Sequence, residues 1–297
     1  MIERLCIIGV GLIGGSLSRA LRQQNACKHV IGCSRDEKHL QRAQQLGVID
    51  EYTTDVTRAV QGADMIVLSV PIRAMSDIFR QIDSYVDANA VITDVGSAKA
   101  SVELAARKNL PKSIARFVPG HPIAGTEQSG VEASFAELFH DRRVILTPLE
   151  ENTTSSKDRV RQMWEATGAI VQDMTVHHHD EVLAATSHLP HVLAFGLVDT
   201  LSSMSDRDEI FQYAAGGFRD FSRIASSDPV MWRDICIENS QAILNIMERY
   251  LQDIDVLKQA IANADADALE KIFTRAKIAR DGYIELNTTT KKNVSQD

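Results

Sequence analysis

Along the first half of the chain, apolar residues come in short continuous runs, each followed by a glycine-rich or polar turn and then a helical period. Residues 4–10 form the first run, as a parallel strand covered on both faces requires. A helical pattern follows over 16–24. Residues 29–33 predict a second strand, and 36–46 a helix capped by Ser34 or Asp36. Residues 63–70 predict a strand closed by Pro71. Residues 91–95 predict another, ending in Gly96-Ser97 before a helix over 98–108. Phe117 and Val118 lead into a polar stretch, then a helix near 131–139 and a strand over 143–147. This alternation predicts an α/β fold, a doubly wound parallel sheet with right-handed crossovers.

After about residue 173 the period is helical, and no strand is predicted from 176 to 273. Pro190 falls inside the first long helical pattern and is expected to kink or split it. Gly216-Gly217 and Ser226-Ser227-Asp228-Pro229 read as breaks. Residues 231–257 read as one long helix, with Ile235, Ile243, Ile246, Met247 and Ile254 turned to a partner. Residues 287–297 are polar and expected to fray. Two domains result, 1–173 and 174–297.

Composition narrows the class. Of 297 residues, 44% are hydrophobic and 24% charged, ordinary for a soluble globular protein. A net charge of −8 disfavours nucleic acid or an anionic membrane as the main partner. No apolar stretch approaches the roughly 20 residues that span a bilayer. The first residues show no cleavable leader pattern. Cys6, Cys27, Cys33 and Cys236 form no CxxC pair and read as reduced thiols. A cytoplasmic protein is expected.

Two stretches carry chemistry. Gly9, Gly11 and Gly14 form GxGxxG after an apolar strand and before a helix, the context in which that motif binds a dinucleotide. At the end of the second predicted strand, Ser34 and Arg35 suit a 2′-phosphate and lean towards NADP. Asp36, one position on, suits the bare ribose of NAD. Ser69 and Pro71 are further candidate cofactor contacts. The second stretch, residues 120–130, holds His121, Thr126, Glu127 and three glycines just past a strand, where ligands of open sheets bind. His177-His178-His179 suggests no metal site, because consecutive helical residues point about 100° apart. A solvated helix start is expected there.

Together these motifs resemble the prephenate and arogenate dehydrogenases of tyrosine biosynthesis, over nearly the whole chain. The resemblance rests on residues 9–15, 63–71, 93–99 and 120–130, on Ser187-His188-Leu189-Pro190-His191, on residues 216–225 and on Trp232. It implies a Rossmann-type N-terminal domain, an all-helical C-terminal domain that forms a homodimer, and NAD(P)-dependent oxidative decarboxylation of prephenate, arogenate or both. It further implies that His121 accepts a proton or hydrogen bond from the ring hydroxyl, with Ser97 hydrogen-bonded to it. Arg223 would anchor a substrate carboxylate, with Arg219 as rival, and His191 would lie near the substrate side chain. Asp180 would pair with Arg223 or His191. Ser187 and Thr126 would be polar contacts and Glu127 a gate. The competing readings are a two-domain reductase acting on 3-hydroxy acids or imines, and a non-catalytic dinucleotide- or tyrosine-sensing module.

Overall fold

Strand β1 (Ile2–Ile8) places Leu5 and Ile7 on one face and Cys6 and Ile8 on the other, all buried, so apolar layers must cover both sides of the sheet. The computed structural model describes the backbone of residues 1–294 and the side chains of residues 1–284. After β1 come α1 (Leu12–Gln23), β2 (Cys27–Cys33), α2 (Glu37–Gln45), β3 (Glu51–Thr53), α3 (Val56–Ala59) and β4 (Met65–Leu68). Next are α4 (Met75–Ile82), β5 (Val91–Asp94), α5 (Ala100–Asn109) and β6 (Phe117–Val118). These six strands form one parallel sheet in the order β3-β2-β1-β4-β5-β6, the doubly wound order of dinucleotide-binding domains. Phe79 meets Phe117 edge to face in one layer, and Phe139 meets Trp164 in the other.

A second sheet corrects the single-sheet expectation. Strand β7 (Gly120–Pro122) pairs antiparallel with β8 (Arg143–Leu146), which pairs parallel with β9 (Ile170–Asp173). Between β8 and β9 lies α6 (Thr154–Glu165), whose Val160, Met163 and Trp164 are buried. The helix expected near 131–139 is only a 3-10 turn, Ala136–Phe139. Two serines anchor that region to α1. Ser16 accepts from the Phe135 amide and Ser134 from Arg19, so side chains replace helical bonds.

The helical part begins with α7 (Val176–Leu183), which passes through a π turn (Ala184–His188) into α8 (Leu189–Ser202). Pro190 does not split the run. It sits just after the π turn, at the start of α8, where the local change of helix geometry accommodates its missing N–H and its ring. The continuous run Val176–Ser202 is therefore long and apolar enough to cross a bilayer by length and composition, correcting the expectation of no such stretch. It nonetheless carries buried His179, Asp180 and His188. Then follow α9 (Arg207–Gln212), α10 (Gly216–Ser222), α11 (Pro229–Glu238), α12 (Ser240–Ala262) and α13 (Ala266–Val294). The long helix expected over 231–257 is broken at Asn239, whose backbone leaves helical geometry (φ −116°, ψ 29°) and whose side-chain amide donates to the Asp180 carbonyl and His188. Helix α13 continues to Val294 through most of the stretch expected to fray, and 295–297 lie outside the described residues.

The chain divides into two compact units, Met1–Ile243 and Leu244–Asp297. The first holds both sheets and the helices through α11. The second comprises most of α12 and α13, and exposes Leu251, Val256, Ile261 and Phe273.

Candidate active site

Strands β1 and β4 are sheet neighbours, and chain order reverses between them, so a crevice opens beyond their carboxyl ends. Gly9 follows β1 with φ +96°, and a Cβ there would fall 2.1 Å from the Ser69 carbonyl oxygen. Only glycine permits that approach. Gly11 caps α1 without a side-chain acceptor, and the first turn of α1 holds no acidic residue. A Cβ on Gly11 would meet nothing within 4 Å. The N-terminus of α1 thus has no side-chain cap and room beside Gly11, which fits a pyrophosphate at a helix N-terminus. Gly14 lies close against Gly9, where a Cβ would come 2.4 Å from the Gly9 carbonyl oxygen. Beyond β4, Ser69 is half-buried and Pro71 exposed. Past β2, the Ser34 hydroxyl accepts from the Asp36 amide at 3.2 Å, and Arg35 is exposed. The Asp36 carboxylate caps α2, accepting from the Lys38 and His39 amides at 2.9 and 3.2 Å.

His121 lies on β7, which leaves the main sheet just after β6, and it is 8% exposed. Three buried groups support its strand. Lys99 is fully buried; its ammonium donates to the Asp94 carboxylate at 2.5 Å and to the Gly120 carbonyl at 2.7 Å. Asp94 also accepts from the amides of Gly96 (2.7 Å) and Gly120 (3.2 Å). Burial pulls the Lys99 pKa down, while Asp94 and Asp180 work against that. The His121 ring bonds through Nδ1 to His179 Nε2 at 2.9 Å, the rings meeting edge to face. His121 Nε2 has no partner among the described residues. Burial first, then His179, Lys99 and His188, hold its pKa well below 6.5, so the ring is neutral at neutral pH.

Three expectations are corrected here. His177 and His178 are exposed as anticipated, but His179 is fully buried and is the partner of His121. Ser97 makes no hydrogen bond to His121, whose Nδ1 His179 occupies, nor does it cap α5. That cap comes from Asp180, which accepts from the Lys99 and Ala100 amides, both at 2.8 Å. Asp180 pairs with neither Arg223 nor His191; its carboxylate instead takes the Lys99 and Ala100 amides and the neighbouring His179 ring. Lys99 and His179 escaped the sequence reading. A buried stripe of His179, Asp180, Leu183 and Ala184 at helical spacing was the available signal for His179.

The helices supply the remaining groups. His188 is buried, accepts from Asn239 at 3.0 Å through Nδ1, and is pushed down to about 4 chiefly by burial. His191 donates from Nδ1 to the Ser187 carbonyl at 2.9 Å and stacks on Trp232 with centroids 3.5 Å apart. The Ser97 backbone also interacts with the His188 ring and works against the effect of burial, while the buried Trp232 Nε1 has no partner among the described residues and remains available to a polar ligand. Arg223, in a 3-10 turn after α10, pairs with Glu127 of the His121 stretch. Its side chain is 63% exposed, whereas Arg219 is exposed on α10 without an ion pair among the described residues. The Thr126 hydroxyl accepts from the Gln128 amide at 3.2 Å.

Known proteins resemble this chain over nearly its whole length. The nucleotide-binding domain of prephenate dehydrogenase matches residues 17–173, and the dimerization domain of the same family matches 175–275. A cyclohexadienyl dehydrogenase from Zymomonas mobilis is 39% identical, with 94% of this chain and 95% of that protein aligned. The structure of Aquifex aeolicus prephenate dehydrogenase with hydroxyphenyl propionate and NAD+ is similar at a TM-score of 0.88 and 36% identity, covering 95% of this chain and 99% of that one. Synechocystis arogenate dehydrogenase gives a TM-score of 0.79 at 28% identity, covering 95% of this chain and all of that one. With both domains matched and the sheet, crevice and buried histidine in place, the chain belongs to the prephenate dehydrogenase family.

Proposed function

We propose that this chain catalyses NAD(P)-dependent oxidative decarboxylation of prephenate to 4-hydroxyphenylpyruvate and carbon dioxide, of arogenate to tyrosine, or both, in tyrosine biosynthesis. The observation that carries this reading is His121: a neutral, buried imidazole beyond the main sheet, with Nε2 unpartnered among the described residues. The bound dinucleotide supplies the hydride acceptor, held at Gly9, Gly11 and Gly14. His121 Nε2 accepts the proton of the ring hydroxyl as hydride leaves the same carbon. The bond from ring to carboxylate then breaks, its electron pair enters the ring, and carbon dioxide departs. Orientation and proton handling are what the protein adds, because aromatisation makes the reaction downhill.

The remaining assignments belong to the same proposal. Arg223 anchors a substrate carboxylate in two-point geometry once Glu127 releases it, which makes Glu127 a gate. His191, Ser187 and Thr126 are polar contacts, and Ser97 lines the site beside Lys99. Asp180 acts within the protein rather than on substrate. Ser34, Arg35, Ser69 and Pro71 contact the cofactor. Because the Asp36 carboxylate is used as a helix cap, Ser34 and Arg35 favour NADP. We place the functional boundary near residue 173 and infer a cytoplasmic homodimer through the helical part. The dimerization-domain match supports it, as does α8, where only Leu189 and Ala194 are buried. A steady-state assay crossing prephenate and arogenate with NAD and NADP tests the function. Turnover in at least one combination is expected, and none in any would return the reductase and sensor readings.

A further inference from the structure

The polar groups behind His121 determine which of its ring nitrogens carries the proton. Asp180 is 5% exposed and accepts three N–H groups: the amides of Lys99 and Ala100, and Nδ1 of His179 at 2.8 Å. Burial opposes the charge of Asp180, but the His179 hydrogen bond and the two amides outweigh it and hold the carboxyl below its ordinary pKa. A carboxylate only accepts, so the hydrogen of this contact lies on His179 Nδ1. Burial pulls His179 below its ordinary value too, which leaves that ring neutral with a lone pair on Nε2. The lone pair lies 2.9 Å from His121 Nδ1, so His121 must donate there. A neutral His121 has one ring hydrogen. Placing it on Nδ1 leaves the lone pair on Nε2.

We infer that His179 and Asp180 are positioning residues that lock His121 in its Nδ1–H tautomer, present Nε2 to the substrate hydroxyl, and share the positive charge His121 acquires. The inference rests on His121 being the proton acceptor. When Nε2 takes the hydroxyl proton, the Nδ1 proton can pass to His179 Nε2, where Asp180 balances the resulting imidazolium. It returns the same way as the proton goes back to the oxygen of the aromatised ring, so no net proton is released. Other charges around the pair set how far this goes. Lys99 opposes imidazolium on either ring, Asp94 largely neutralises Lys99, and His188 stays neutral with its Nδ1 tied to Asn239. The local fold explains the arrangement. Adjacent residues of α7 point about 100° apart, so His179 reaches β7 while Asp180 reaches the start of α5.

Nitrogen-15 NMR of the histidine-labelled full chain tests this, with His121→Asn used to assign the His121 signals. The expected spectrum has pyrrole-type Nδ1 and pyridine-type Nε2 at His121; the reverse pattern overturns the inference. His179→Phe keeps a ring of similar size but cannot accept from Nδ1. It should mix the His121 tautomers and lower kcat by about 10²-fold or more, with the substrate KM nearly unchanged, as expected for impaired proton transfer. His179→Gln, whose amide oxygen can take the Nδ1 hydrogen, should restore the tautomer and part of kcat. Wild-type kcat in His179→Phe would refute the role. If that variant does not fold, the wild-type spectrum and His179→Gln decide alone. Undiminished turnover in His121→Asn would instead remove the acceptor role while leaving the tautomer result standing.

Discussion

Lys99→Met removes a charge that is fully buried and nearly isosterically replaced, so its effect isolates electrostatics from packing. Wild-type Nζ sits 2.5 Å from Asp94 and 2.7 Å from the Gly120 carbonyl. Without it, Asp94 keeps only the Gly96 and Gly120 amides and becomes a buried charge lacking its countercharge. Breaking one side of a buried pair costs about 3–5 kcal/mol. At about 2–4 °C per kcal/mol for a unit of this size, the Tm should fall by about 6–20 °C. The double variant Lys99→Met/Asp94→Asn removes the stranded charge and should recover much of that loss, since the asparagine oxygen can still accept from one amide. Thermal unfolding at fixed protein concentration reads both. A Tm drop under about 2 °C in the single variant, or a double variant no better than the single, would refute this account of the pair.

Three further outcomes follow from the same geometry. Because burial and its neighbours hold His121 well below 6.5, it stays in its accepting form through mildly acidic pH. The acid limb of kcat/KM should therefore lie below 6.5, and a limb at or above 6.5 would contradict the environment described. Gly11→Ala places a methyl in open space, so Tm should hold while the dinucleotide KM rises about tenfold or more, a change of about 1.4 kcal/mol; an unchanged KM would argue against phosphate approach there. For Arg223→Ala, loss of a charge-assisted bond predicts a substrate KM about 10–100-fold higher with cofactor KM intact, and a normal substrate KM would refute the anchor.

Much of the fold was legible because buried strands announce themselves as apolar runs. Strands β1, β2, β4 and β5 all did so. Strand β3 did not, since Glu51-Tyr52-Thr53 is a short edge strand with no buried residue. Strand β9 likewise ends in polar, exposed Gln172 and Asp173. Helix α6 was missed although Thr153 caps it and Val160, Met163 and Trp164 form a buried stripe. The site was legible as residue types, not as partnerships. Lys99 belongs to a charge pattern that normally means solvent, and only tertiary structure places it opposite Asp94. His179 lay in a polar run whose two other histidines are exposed. Asp180 was expected at the ligand, yet it serves α5, whose own sequence lacks a side-chain cap. Asn239 interrupts an apolar helical period because its amide bridges Asp180 and His188, a role no local pattern signals.

Everything proposed for the site converges on His121 Nε2 accepting the hydroxyl proton. The most direct measurement is the rate of reduced-dinucleotide formation in His121→Asn, taken with the dissociation constant of the substrate for the same variant. The account predicts a kcat loss of about 10²–10⁴-fold with substrate binding largely retained. Wild-type turnover in that variant would contradict it.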